Sequence, residues 1–240
     1  MELTLLRHGQ GTHNHAAFNH GIGIYHDIAY HDAPLNETGR EQCLEAGQAL
    51  ADLGLLPSFD LVLVSPLTRT LQTATLVFNA LEGAAPPMEA CELIREAYGL
   101  HHCDSRSSLS MLVPQYPHVS FGTVETDLDE WHSPHVRETL HSVTQRCRAF
   151  LELLARRHSG SQRVLVVSHG VFLEALCKLI PGAEQGEFLN CELRTVRIER
   201  QAPLFPGLSL ATPAPLPLSH TPSGGAPPPG PLPQGPTSSL

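Results

Sequence analysis

The sequence predicts an α/β fold of three layers, with a mostly parallel central sheet between helices. Two observations carry this. Short apolar runs of strand length occur at residues 3–6, 59–64 and 162–167, and segments with apolar residues at helical spacing lie between them. Each run also stops at a turn bearing arginine, serine or histidine: Arg7-His8-Gly9, Ser65-Pro66 and Ser168-His169-Gly170. In an open α/β sheet, ligands sit outside the carboxyl ends of the strands, so these turns are where a site is built.

Taken in order, the first strand covers residues 3–6. Gly9 and Gly11 follow it and let backbone approach a ligand closely. After Asn14, a segment rich in His and Gly reads as a loop to about Ala33. Asn36 or Thr38 then caps a helix with apolar positions Cys43, Leu44, Ala46, Gly47, Leu50 and Leu53, and Gly54 ends it. The second strand, residues 59–64, meets Ser65-Pro66, and proline suits the first turn of a helix. That helix runs through Leu67, Leu71, Ala74, Phe78 and Leu81, with Arg69 in its first turn. Residues 88–93 read as a shorter strand leading to Arg95-Glu96.

Residues 100–133 lose all periodicity. A loop this long inside a domain is usually functional, often a lid over a site. Pro134 opens a long amphipathic helix through Val136, Leu140, Val143, Cys147, Phe150, Leu151 and Leu154. Arg156, Arg157 and His158 close it with the sign a helix C-terminus prefers. The strand at residues 162–167 leads into a helix through Leu173, Leu176 and Leu179 that Pro181-Gly182 stops. Residues 187–199 alternate enough to be a last strand, at the edge of the sheet.

Past residue 200 the composition changes. Residues 201–240 hold more than half of the 21 prolines, and a segment so poor in packable apolar surface is expected to stay disordered. The chain therefore divides into a domain at 1–200 and a Pro/Gly-rich tail at 201–240. Runs such as Pro227-Pro228-Pro229 suit a partner of the SH3 or WW type.

The net charge of -9 argues against nucleic acid as a partner, since such binders usually carry a basic face. An acidic protein that takes an anionic substrate must concentrate its cations in a pocket. The six cysteines include no C-x-x-C pair, which argues against zinc and redox motifs and points to a reducing compartment. His13, His15, His20, His26 and His31 match no common zinc spacing and read as solvated. Arg7 interrupts the first apolar run before a signal-peptide core could form, and no run reaches membrane-spanning length. The expectation is a cytoplasmic protein with no membrane partner.

Three strand ends thus deliver Arg7-His8, Ser65 with Arg69, and Ser168-His169 to one edge of the sheet. Arginine forks and helix N-termini suit phosphate oxygens, and an imidazole nitrogen can attack phosphorus. The set resembles the histidine phosphatase superfamily, also called phosphoglycerate mutase-like, over roughly residues 1–199. The motifs that carry the likeness are Leu5-Leu6-Arg7-His8-Gly9 with Asn14, then Leu35, Gly39 and Gln42, and Ser65-Pro66-Leu67-Thr68-Arg69-Thr70 with Gln72-Thr73-Ala74. Glu96 with Gly99 and Val167-Ser168-His169-Gly170 complete them. Arg7-His8-Gly9-Gln10-Gly11 with His13-Asn14, and Cys103-Asp104-x-Arg106, look most like the fungal and plant phosphatases of this superfamily.

The resemblance implies a phosphomonoester hydrolase that needs neither metal nor cofactor and acts on a small-molecule or protein phosphomonoester. It implies that His8 becomes a phosphohistidine, that Arg7, Asn14, Arg69 and His169 bind the phosphoryl oxygens, and that Glu96 is the general acid. Asp104 is a competing proton donor. Two other readings stay open: a mutase-type phosphotransferase, and a phosphate-binding scaffold that uses its Pro-rich tail.

Overall fold

The computed structural model describes residues 1–81, 84–133, 135–199 and 209–211. The strands are β1 (Glu2–Arg7), β2 (Leu61–Val64), β3 (Met88–Ala90), β4 (Val119–Ser120), β5 (Arg163–Ser168), β6 (Leu193–Glu199) and β7 (Ser209–Ala211). They form one sheet in the order β4-β3-β2-β5-β1-β6-β7. β1 through β5 pair in parallel, while β6 and β7 are antiparallel.

The central strands are apolar without interruption because both faces of the sheet are covered. Leu3, Leu5, Leu61, Leu63, Val164 and Val166 face α5 (Leu140–Arg157) and α6 (Gly170–Leu179). Leu6, Val62, Val64, Leu165 and Val167 face α2 (Glu37–Asp52) and α3 (Thr68–Val77). Two apolar cores therefore sandwich the sheet, which is the expected three-layer α/β architecture. Asn36 caps α2, its Oδ1 accepting from the Gly39 N–H at 2.8 Å. Among the described residues, no helix is long and apolar enough to cross a membrane.

Four expectations need correction. The first concerns the His- and Gly-rich segment, which begins with α1 (Thr12–His20) followed by two short 3₁₀ turns. Gly11 stands extended before α1, and the Asn14 side chain accepts the Gly11 N–H at 3.0 Å. This helix buries only His13 and Ala16, so it shows no apolar stripe to read.

The second is the long helix, which starts at Leu140 with Thr139 as its cap, not at Pro134, which lies outside the described residues. The chain just before it runs beside residues 98–100 instead: Leu100 N–H donates to Val136 O and Glu138 N–H to Tyr98 O. Val136 accordingly stays 63% exposed.

The third is the aperiodic stretch 100–133, which contains α4 (Leu109–Gln115) and β4. Buried Arg106 pins it by donating to the carbonyls of Thr126, Asp127 and Leu128, so it is a braced wall and not a free lid. The fourth is β6, which is not an edge strand, because β7 pairs with it. Apart from 209–211, the expected tail lies outside the described residues.

Candidate active site

The site is built where β1, β2 and β5 end. Parallel pairing aligns Arg7 with Ser168 and Val64 with Val167, so the next residues of all three strands emerge together. His8 and His169 are both buried, with ring centroids 5.1 Å apart and edge to face. Arg69, in the first turn of α3, is buried between them.

Hydrogen bonds fix the tautomers. His8 Nδ1 lies 2.7 Å from the Gly9 carbonyl, which can only accept, so Nδ1 carries the proton. His8 Nε2 is then the free lone pair, and it accepts from Arg69 Nε at 3.2 Å. On His169, Nδ1 accepts from Arg69 Nη2 at 3.1 Å, which leaves Nε2–H to donate to Ser65 Oγ at 2.8 Å. Burial and then the Arg69 charge hold both imidazoles well below the usual histidine range, so both are neutral.

Arg69 spends its remaining donors on the Cys103 carbonyl and on Asp104 Oδ1, the latter at 2.8 Å. Arg7 donates from Nη1 to the Phe188 carbonyl, but its Nε is buried with no partner. That Nε faces the start of α6: a Cβ placed on Gly170 would lie 3.6 Å from it. An unpaired guanidinium donor beside the free N–H groups of a helix N-terminus makes a cradle for an anion.

Two carboxyls stand behind this cradle with opposite tendencies. Asp104 is buried and receives Arg69 and Arg137, the latter at 2.7 Å. Burial works against its charge, but His101, Arg69 and Arg137 together hold it far below the carboxylate range. Glu96 follows Ile94, whose carbonyl accepts from Ser168 Oγ at 2.6 Å and so ties this segment to the end of β5. Its Oε1 accepts the Ala97 N–H at 2.8 Å, and its Oε2 lies 3.4 Å from the Val171 N–H of α6. Burial, then the Asp104 charge, pushes the Glu96 carboxyl up. Its neighbour Arg95 points elsewhere, to Asp129 and Glu92.

The family model of the histidine phosphatase superfamily (branch 1) matches residues 3–205. The chain belongs to the histidine phosphatase superfamily. This member is 31% identical over 229 residues to a phosphoglycerate mutase-like protein of Arabidopsis thaliana, covering 82% of this chain and 83% of that one. It is 29% identical over 217 residues to a 2,3-bisphosphoglycerate-dependent phosphoglycerate mutase of Haemophilus influenzae, covering 81% and 91%. Among solved structures, its fold is similar to that of a putative alpha-ribazole-5'-P phosphatase from Escherichia coli. That match has a TM-score of 0.57 at 23% identity and covers 88% and 95% of the two chains.

In this histidine phosphatase superfamily member, the residues singled out by sequence gather as follows. Arg7, His8, Arg69 and His169 converge, and Glu96 stands at the start of α6 beside them. Asn14 lies in the first turn of α1 with its Oδ1 turned back to Gly11 and its side chain paired with the Tyr25 hydroxyl.

Sequence reasoning missed His13 and Arg137. His13 is buried, not solvated; its ring centroid lies 6.1 Å from that of His8, and burial takes its pKa to about 3. A series of rings then leads outward: His13 to Tyr25 at 5.6 Å, Tyr25 to His101 at 5.3 Å, His101 to exposed His26 at 5.2 Å. The signal for His13 was its place next to Asn14, in the first turn of a helix without an apolar stripe. Nothing in the sequence pointed to Arg137.

Proposed function

We propose that the chain is a phosphomonoester hydrolase working without metal through a phosphohistidine at His8. The observation that carries this reading is the His8 ring. It is neutral, its tautomer is locked by Gly9, and its free Nε2 points at the arginine that would hold the phosphoryl group. A nucleophilic nitrogen needs that lone pair, and covalent catalysis splits one hard displacement into two easier ones.

Arg7 Nε and the start of α6 take phosphoryl oxygens, and Arg69 turns from His8 to the oxygens as the substrate arrives. Asn14 supplies a neutral amide donor. His169 donates from Nδ1 after taking up a proton, which a phosphate dianion beside it favours. Asp104 is the buried anion that positions Arg69. Glu96 holds the proton for the leaving oxygen and later takes one from water, a role that burial favours by pushing its carboxyl up. The arginines supply the positive charge that a metal would otherwise bring.

The inner part of the ring series makes an uncharged wall next to the site, because burial holds His13 and Tyr25 neutral. Such a wall suits an aromatic or otherwise apolar alcohol better than a second anion. The likeness to a bisphosphoglycerate-dependent mutase favours phosphotransfer as a second reading. A bisphosphorylated primer would call for further unpaired cations, whereas Arg137 is spent on Asp104.

The test is turnover of p-nitrophenyl phosphate in excess chelator by wild type and His8→Ala. The expected result is phosphate release by wild type, loss in the variant, and an acid-labile phosphoryl group on His8 after rapid quenching. Turnover that survives His8→Ala overturns the assignment of the nucleophile. Transfer to an added sugar acid in preference to water supports the mutase reading.

A further inference from the structure

All six cysteines are free thiols, and two of them meet. Cys43 in α2 and Cys191 before β6 have Sγ atoms 3.6 Å apart, although they are 148 positions apart in the chain. Cys43 is fully buried, while Cys191 is partly exposed.

The pair sits against the backbone of the site. Cys191 N–H donates to the carbonyls of Arg7 at 3.1 Å and His8 at 3.3 Å, and Asn190 Nδ2 donates to the His8 carbonyl at 3.0 Å. Cys43 Sγ lies 3.5 Å from Thr73 Oγ1. That hydroxyl accepts the Gly9 N–H at 3.1 Å and donates to the Arg69 carbonyl at 2.7 Å. Cys191 is held at φ 57°, a left-handed conformation unusual for a residue with a side chain. Any movement of the sulfurs toward each other therefore pulls on residues 7–9 or on the end of α3 that bears Arg69.

We propose that Cys43 and Cys191 form a thiol–disulfide modification site through which a hydroperoxide reversibly disables the site beside it. The chemistry balances as follows. Cys191, the more exposed of the two, attacks a peroxide oxygen through its sulfur while its proton passes to the departing oxygen; an S–O bond forms, the O–O bond breaks, and an alcohol or water leaves. The Cys43 sulfur attacks the Cys191 sulfur; the S–S bond forms, the S–O bond breaks, and hydroxide leaves as water with a thiol proton. Two thiols lose two electrons and two protons to one peroxide.

The environment supports this choice of sulfurs. Cys191 is the sulfur of the pair that solvent reaches, although its contact with Cys43 and its burial raise it well above the usual thiol range. The same contact and Thr73 lower Cys43, the sulfur that resolves, whereas burial raises Cys91 and Cys177 to about 11 and Cys147 to about 12. A disulfide is about 2.05 Å long, so the sulfurs must close by roughly 1.5 Å from their separation of 3.6 Å. Cys43 is fixed in the packed middle of α2, so residues 190–191 move and carry the His8 carbonyl contacts with them. A displacement of about 1 Å at reacting groups can cost ~100-fold in rate.

The loss of activity rests on the hydrolase reading; the disulfide does not. The experiment treats the full chain with hydrogen peroxide, blocks remaining thiols with N-ethylmaleimide, and maps linked peptides alongside p-nitrophenyl phosphate turnover. The expected result is a Cys43–Cys191 peptide and a fall in turnover of about tenfold or more, both reversed by dithiothreitol. Cys43→Ser keeps its basal turnover and resists peroxide; Cys191→Ser serves if the buried position does not accept serine. Peroxide that oxidises other cysteines without linking this pair overturns the proposal, as does a fully linked protein with unchanged turnover. A wild type without turnover on any phosphomonoester counts against the hydrolase reading, while the peptide map still decides the disulfide.

Discussion

Glu96 and Asp104 share a neighbourhood and are driven apart by it. Asp104 faces two guanidinium groups and is held well below the carboxylate range, while burial and the Asp104 charge push the Glu96 carboxyl up. Their substitutions should therefore fail differently. Glu96→Gln should lower turnover of alkyl phosphates by ~100-fold or more but that of p-nitrophenyl phosphate far less, because nitrophenolate leaves without a proton. In wild type, alkyl phosphate turnover should fall as pH rises through the raised Glu96 pKa, and the variant should lack that limb. The acid limb, where His8 takes a proton, should lie well below pH 6.5. Asp104→Asn should lose activity on both substrates alike, because Arg69 loses its anchor; a pH profile measured on each substrate separates the two cases. The groups at strand ends, Arg7, His8, Arg69 and His169, were legible because an apolar run followed by a charged turn is a local signal. The opposite surroundings of Glu96 and Asp104 were not legible, since that of Asp104 depends on Arg137, which reaches it only through tertiary packing.

The element that orders the loop after His8 from behind is α2. Gly39, in its first turns, touches the Gln10 backbone so closely that a Cβ there would overlap the Gln10 carbonyl and amide nitrogen. Gln42 accepts the Gln10 N–H at 2.9 Å, and Asn36 donates to Gln10 Oε1 at 2.7 Å. Gly39→Ala should therefore push α2 off residues 9–11, costing about 1–3 kcal/mol of stability. It should also lower kcat, because His8 shares that loop. Thermal unfolding read beside turnover checks both, and a variant with native stability and rate would remove α2 from this role. The sequence showed α2 plainly, with Asn36 as cap and apolar residues at helical spacing, because it covers a sheet face. The same reasoning passed over α1, which covers no face, and started α5 too early, because the exposed Val136 continued its apolar spacing by chance. Periodicity reports burial against a core, so elements that serve the site and not the core escape it.

At the scale of the molecule, the site makes the fold sensitive to acid. Burial holds His8, His13 and His169 neutral, with folded pKa values below their unfolded value of 6.5. The unfolded chain therefore binds more protons than the folded one once pH drops through 6.5, and stability falls as pH falls. Glu96 opposes this: its raised pKa means the folded state gains a proton before the unfolded state does. With three lowered histidines against one raised carboxyl, the histidines set the sign, and stability should fall as pH falls below 6.5. Each proton taken up on unfolding is worth about 1.4 kcal/mol per pH unit. Nearer pH 4 and below, Asp104 and Asp129 take up protons in the unfolded chain while the folded chain keeps them ionised, which steepens the loss. His13, whose folded pKa is about 3, contributes one such proton, so His13→Gln should flatten the slope by up to about 1.4 kcal/mol per pH unit, whatever it does to stability at neutral pH. Urea unfolding from pH 4.5 to 7 on both proteins reads the difference directly. Equal slopes would mean that His13 titrates alike in the folded and unfolded chain, and its neutral, buried state beside His8 would have to be abandoned.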